Sequence, residues 1–331
     1  MKLIRQLASF VTVFFLGGCG QQPTDLFAEY QQRLATASGS EIVKLAPLKN
    51  SKIEKISKPQ SNLSISILDI AQTGHCKVTQ LIAAQNNQLG KVSYPSERLK
   101  YAVEFIKSAP QCINSAETKD ELKQILTEAV LEKRHQLPWY FLHMMTFEKE
   151  LSNLGMLTTE EVPLEVPAIK GKSLEAVNIL ADFANNIHSP EKISTATLTP
   201  ALAILSKRYI SSLLTSVRKQ TILNNATTQQ LEQLDLKENM CRDGGNRKQA
   251  NIVSNVFTKY YLSQLQPYQA MLTASMEELI QGWQPIHQLY QEHSITDPLT
   301  LHEHLDNLKR SAKNHVKWWQ NFYDLCEITP L

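Results

Sequence analysis

The sequence predicts an all-α fold: a multi-helix antiparallel bundle, in one body or two helical lobes, stapled by two disulfides. Three observations carry that prediction. Glycine is scarce, 11 in 331 residues, which disfavours a turn-rich β architecture. Apolar residues recur at three- and four-residue spacing along most of the chain, the period of a helix with one buried face. Of the five cysteines, one has a separate use at the N-terminus, and the even remainder suits a disulfide framework.

The N-terminus reads as a secretion signal. Lys2 and Arg5 precede a mainly apolar run from Leu7 to Leu16. That run is too short for a bilayer core, which needs roughly 20 residues, and fits a signal's apolar stretch of roughly 7–15. It ends in Leu16-Gly17-Gly18-Cys19, which resembles the lipobox of bacterial lipoproteins. Small residues let the backbone enter a peptidase cleft, and only a thiol forms the thioether to diacylglycerol. Residues 1–18 are therefore expected to be a signal peptide, Cys19 the lipid-attachment site and 19–24 a short tether. The competing account is an ordinary signal peptide with a chance cysteine. Gly20 follows, where an aspartate usually marks inner-membrane retention, so the expected location is the outer membrane, facing the periplasm. The signal holds two basic residues and no acidic one. Without it, the 34 Lys and Arg fall level with the 32 Asp and Glu. A formally neutral chain carries no electrostatic footprint for nucleic acid.

The elements follow in order. Leu26 to Leu34 suggests a first helix, and 38–62 reads as irregular. Ser61 to Ile70 fits a short strand or a helix equally well. Residues 75–88 read as a helix carrying Val78, Leu81 and Ile82, stopped by Asn86, Asn87 and Gly90. A second begins near Pro95-Ser96 and is expected to end before Pro110. Thr118 to Glu121 matches a capping box, opening a helix to about His135, and Pro138 is expected to start another. Residues 155–171, with Gly155, Pro163, Pro167 and Gly171, read as a linker or long loop between an N-terminal lobe, 25–154, and a C-terminal lobe, 172–331. Helix resumes at Ser173. Thr199 to Leu223 reads as one long segment, and Cys241 to Gly245 as a turn. Asn246 to Gln284 reads as helix, with kinks at Pro267 and Pro285. Thr300 to Glu303 is a second capping box, opening a helix to Leu325.

Cys76, Cys112, Cys241 and Cys326 allow three pairings, or four free thiols. If the helices flanking residue 90 run antiparallel, Cys76 lies beside Cys112, and Cys241 and Cys326 pair by elimination. The second pair requires 246–284 to make one pass and 300–325 to return. In the chain-entropy model the 36- and 85-residue separations correspond to upper values of about 4 and 4.6 kcal/mol.

Chemistry-bearing motifs are sparse. HExxH, CxxC and GxSxG are absent, and neither a metal nor a cofactor is expected. His302 and His304 fall on different helix faces, and the nine histidines read as dispersed over the surface. Adjacent carboxylates such as Glu160-Glu161 and Glu277-Glu278 read as solvated, so no catalytic residue is assigned. Gly244, Gly245, Arg247 and Lys248 before a helix form a candidate anion-binding turn, against the plainer reading of a tight turn beside a disulfide. Trp319, Phe322 and Tyr323 read as core, and Trp318 as the exposed ring.

Over residues 68–112 the run Leu68-Asp69, Cys76, Leu81-Ile82, Asn86, Leu89-Gly90, Pro95-Ser96, Arg98-Leu99, Tyr101 and Cys112, following a lipobox, resembles a bacterial lipoprotein family catalogued as domain of unknown function 3080. The resemblance implies a Gram-negative envelope lipoprotein of undetermined role and transfers no catalytic residue. The leading expectation is a non-enzymatic interaction or scaffold module for an envelope protein partner. The alternatives are a small-ligand or peptide-binding protein with an aromatic-lined groove, and an envelope hydrolase.

Overall fold

A computed structural model describes residues 22–50, 53–61, 76–86, 93–242 and 246–329. The signal, Cys19, residues 62–70 of the strand-or-helix segment, Gly90, Gly244 and Gly245 lie outside the described residues. Among those described, regular structure is helical with no strand, so the fold is all-α. The helices are α1 (Pro23–Ser38), α2 (Lys77–Asn86), α3 (Pro95–Ile113), α4 (Asp120–Phe147), the single turn α5 (Lys149–Ser152), α6 (Ile169–Asn185), α7 (Leu198–Leu205), α8 (Tyr209–Glu232), the single turn α9 (Leu236–Asn239), α10 (Lys248–Val256), α11 (Gln266–Glu292) and α12 (Leu301–Cys326). None is long and apolar enough to cross a membrane.

Helix boundaries depart from the local signals wherever burial outweighs them. Pro110 and Pro138 were expected at helix ends, yet lie inside α3 and α4. Each proline removes one ladder hydrogen bond. Around Pro110, Ala109 and Cys112 are wholly buried, and beside Pro138 so is Leu137. Neither expected capping box forms. Thr118 is buried, with its hydroxyl 3.6 Å from Cys112 Sγ. Thr300 is left-handed, and its hydroxyl lies 3.4 Å from His304 Nε2. The single segment expected over 199–223 is two helices, broken by a turn in which Arg208 adopts φ 62°. The break lets both α7 and α8 pack apolar faces into one core.

At Pro267 the expected kink takes another form. Proline has no N–H to return to the preceding turn, and the ladder widens ahead of it into a π-helical stretch, Phe257–Leu265, with Gln266 N–H donating to Tyr261 O. Chain continuity is kept, so α10, the π stretch and α11 make one pass and α12 returns antiparallel. That return brings Cys326 to Cys241, Cα atoms 4.7 Å apart, and the two are bridged. Cys76 and Cys112 are likewise bridged, at 5.5 Å.

Three apolar clusters fill the bundle. The largest draws on α3, α4, α6, α7, α8, α11 and α12. A second joins α1, α10, the π stretch and the ends of α8 and α12. A third packs α2 against α3 and α4. Residues 155–168 run over α8, pinned where Thr215 Oγ1 accepts from Thr158 N–H at 3.0 Å and Ser216 Oγ accepts from Val162 N–H at 2.9 Å. Helix α6 starts at Ile169, ahead of the expected Ser173.

Candidate functional site

The second half of α11 and the start of α12 enclose a cleft of about 320 Å³. Trp283 and His287 are four residues apart on α11 and so share a face. Beyond α11 the chain reverses between His293 and Thr300, a turn holding two left-handed non-glycine residues, Ser294 at φ 55° and Thr300 at φ 41°. Such conformations persist only where surrounding contacts hold them. Ile295 N–H donates to Tyr290 O at 2.9 Å. Gly155 packs against the same turn, where an added Cβ would stand 3.1 Å from Leu299 Cδ2.

The turn places Asp297 over α11. Asp297 is 8% exposed, and a buried carboxylate must be hydrogen-bonded. Three donors meet it: Trp283 Nε1–H at 2.9 Å, His287 Nδ1 at 2.9 Å, both on Oδ2, and Leu299 N–H at 3.0 Å on Oδ1. A carboxylate can only accept, so His287 Nδ1 carries the proton. In the neutral ring Nε2 is then an acceptor, with no partner among the described residues. The cleft's other walls are Ile280, Ile295 and Leu301 on the apolar side, and Gln284, Gln291, His302 and Glu303 on the polar side. The rings of His287 and His302 are 6.4 Å apart. Burial, and next the Asp297 carboxylate, push the nearby Tyr290 hydroxyl upward, and that hydroxyl has no partner among the described residues.

This arrangement orients one imidazole by a buried carboxylate at the wall of a largely apolar hollow. It can hold a polar hydrogen on a ligand whose remainder is apolar. Among the described residues no group of three His, Cys, Asp or Glu side chains is placed to hold a metal ion.

Of the described residues singled out from the sequence, the run Thr300 to Glu303 lines this cleft, and the others named below do not. His315, expected at the surface, is fully buried, and burial drives its pKa down to about 3. His143 is also buried, its Nδ1 2.7 Å from Ile56 O. Glu161, expected to be solvated, is buried and accepts from Lys219 at 2.8 Å and Thr24 at 2.5 Å. Of the candidate anion turn only Arg247 and Lys248 are among the described residues; Arg247 donates to Arg242 O at 2.9 Å and lies 3.7 Å from the exposed Glu327. Lys248 begins α10, its N–H capped by Asn246 Oδ1 at 2.8 Å. Trp319 and Phe322 are core, while Trp318 is half-buried and stacks on Phe322.

Trp283, His287 and Asp297 went unremarked in the sequence. Their signal was there: a Trp and a His four apart near the end of a helix, followed by Asp297-Pro298, a turn-forming pair. No curated protein and no solved structure matches the chain. A family model described as "Protein of unknown function (DUF3080)" matches residues 27–330, and the chain belongs to that family.

Proposed function

We propose that this is a lipid-anchored outer-membrane protein, facing the periplasm, whose cleft between α11 and α12 binds a small amphipathic ligand without transforming it. The observation that carries the binding role is His287. Its Nδ1 is committed to buried Asp297, which leaves Nε2 as the acceptor of a ring that lines the cleft together with Trp283 and Ile280. That geometry suits a ligand donating one O–H or N–H to the imidazole while its apolar part covers the indole. A defined cleft with one oriented polar group favours ligand binding over a purely scaffolding role. The anchor rests on the lipobox residues Leu16 to Cys19.

The experiment has two arms. Cells are labelled with radioactive palmitate, and the purified mature protein is titrated with 1-octanol and, separately, with octane. Nitrogen-15 NMR reads the His287 imidazole, assigned with His287→Ala. Label is expected in the wild type and not in Cys19→Ser. Octanol is expected to move the Nε2 resonance and octane to leave it. Asp297→Ala should weaken octanol binding about tenfold. Label persisting in Cys19→Ser overturns the anchor, and an Nε2 resonance indifferent to octanol overturns the ligand site.

A further inference from the structure

A second groove, of about 390 Å³, lies between α8 and α12 and shares no residue with the His287 cleft. Its chemistry differs. Carboxamides stand on both walls, Asn225 and Gln229 from α8, Asn314 and Asn321 from α12. Asn225 and Gln229 are four residues apart, and Asn314, Trp318 and Asn321 follow at four and three, so each set shares one helix face. None of the four carboxamides has a hydrogen-bond partner among the described residues. Trp318 stands between the two amides of α12, its indole backed by Phe322, stacked at 5.6 Å and 14°. The groove's single cation, Lys317, is balanced by Glu232. Beneath it, Thr228 Oγ1 lies 3.1 Å from His315 Nδ1 and holds α8 against α12, so the spacing of the walls is set before any ligand arrives.

We propose that this groove binds a neutral oligosaccharide. A carboxamide offers donors and an acceptor at once, as does a sugar hydroxyl, and amides on both walls meet the hydroxyls on both edges of a ring. The indole supplies an apolar face for the ring's C–H side, with a polar N–H at its rim. The charge balance disfavours anionic polymers, and the polar walls disfavour acyl chains. An extended peptide is a poorer match: its side chains alternate and call for a row of pockets, where this groove has one aromatic platform. The packed helices fix the backbone positions of the amides, so only their side chains are left to order on binding.

The test uses the full mature protein labelled with 5-fluorotryptophan. Fluorine NMR resolves the four tryptophans, and Trp318→Phe assigns the relevant resonance. The probe is N,N′,N″-triacetylchitotriose. A saturable shift of the Trp318 resonance is expected while that of Trp283 stays in place. Replacing both Asn314 and Asn321 by Ala, at exposed positions that leave the fold intact, should weaken the response at least about tenfold. The proposal falls if the sugar gives no shift up to about 10 mM. It falls equally if the double replacement leaves the response unchanged, or if an acetylated Ala-Gly-Ala-Gly amide shifts Trp318 and the sugar does not.

Discussion

At the scale of single residues, burial decides which charges matter. Lys219 and Glu161 pair at 2.8 Å with side chains 27% and 2% exposed, while Lys309 and Glu277 pair at 2.7 Å with 48% and 50% exposed. The distances are alike and the surroundings are not. An exposed pair contributes about 0–1 kcal/mol, because water screens it and its members lose little on parting. Glu161 has left water: Oε1 takes the Lys219 and Thr24 bonds, and Oε2 has no partner among the described residues. Removing Lys219 strands a buried carboxylate, a loss of up to about 3–5 kcal/mol in a fully buried pair and less here, since Lys219 itself is partly wet. Lys219→Ala should therefore cost about 2 kcal/mol or more, and Lys309→Ala under about 1. Denaturant midpoints with matched slopes measure both. Equal losses would mean that water reaches Glu161 once Lys219 is gone.

At the scale of elements, α2 shows how much one covalent link can support. It is ten residues long, below the length at which an isolated helix is stable in water. Two of its residues, Val78 and Ile82, are buried, and the Cys76–Cys112 bridge ties its start to the end of α3. Replacing both cysteines by Ala should lower stability by at most about 4 kcal/mol. Amide exchange should show protection lost in α2 and the last turn of α3, with α8 and α12 unchanged. Uniform loss across the chain would contradict this local role. The same elements show what the sequence makes legible. Helical periodicity makes the α2–α3 pairing legible once the two helices are taken as antiparallel, and the return of α12 to Cys241 then follows by elimination among the cysteines. Pro110 and Pro138 mislead because a local penalty of a few kcal/mol is outweighed by the burial of Cys112 and Leu137. Thr118 and Thr300 have the composition of caps but are drawn to Cys112 and His304 instead. The Arg208 break is invisible because neither glycine nor proline marks it. The cleft was hidden for a related reason: Trp283 and His287 read as ordinary helix positions until the turn folds Asp297 back over them.

At the scale of the molecule, the largest and second apolar clusters meet across a layer of buried polar side chains. Gln269 Nε2 donates to Gln220 Oε1 at 3.1 Å and to Asn224 Oδ1 at 3.0 Å, and Asn224 Nδ2 donates to Ser311 Oγ at 3.2 Å. One turn along α12 lies His315, whose Nε2 accepts from Tyr30 at 2.9 Å and Trp319 at 3.2 Å. These bonds join α1, α8, α11 and α12, and in a low-dielectric interior each lost partner is costly; Gln220 Nε2 already has none among the described residues. Protonating His315 removes the acceptor that Tyr30 and Trp319 need and puts a charge where no carboxylate stands among its hydrogen-bond partners. Burial holds its pKa at about 3 in the native state, against about 6.5 when exposed. The sign follows. Above the unfolded value the ring is neutral in both states and the full native stability is present. As pH falls below it, the unfolded chain takes up a proton that the native chain refuses, and stability declines by up to about 1.4 kcal/mol per pH unit until the native pKa is reached. His315→Asn keeps an acceptor and removes the titration, so its denaturant midpoint should vary less between about pH 6 and 4 than that of the wild type. Because Tyr30 and Trp319 belong to the second cluster, exchange protection in mild acid should fail first in α1 and α10, with α6 and α7 holding. A wild-type slope unaltered by the substitution would place the acid sensitivity elsewhere in the protein. A simultaneous loss in all four helices would show that the polar layer couples the two clusters into one cooperative unit.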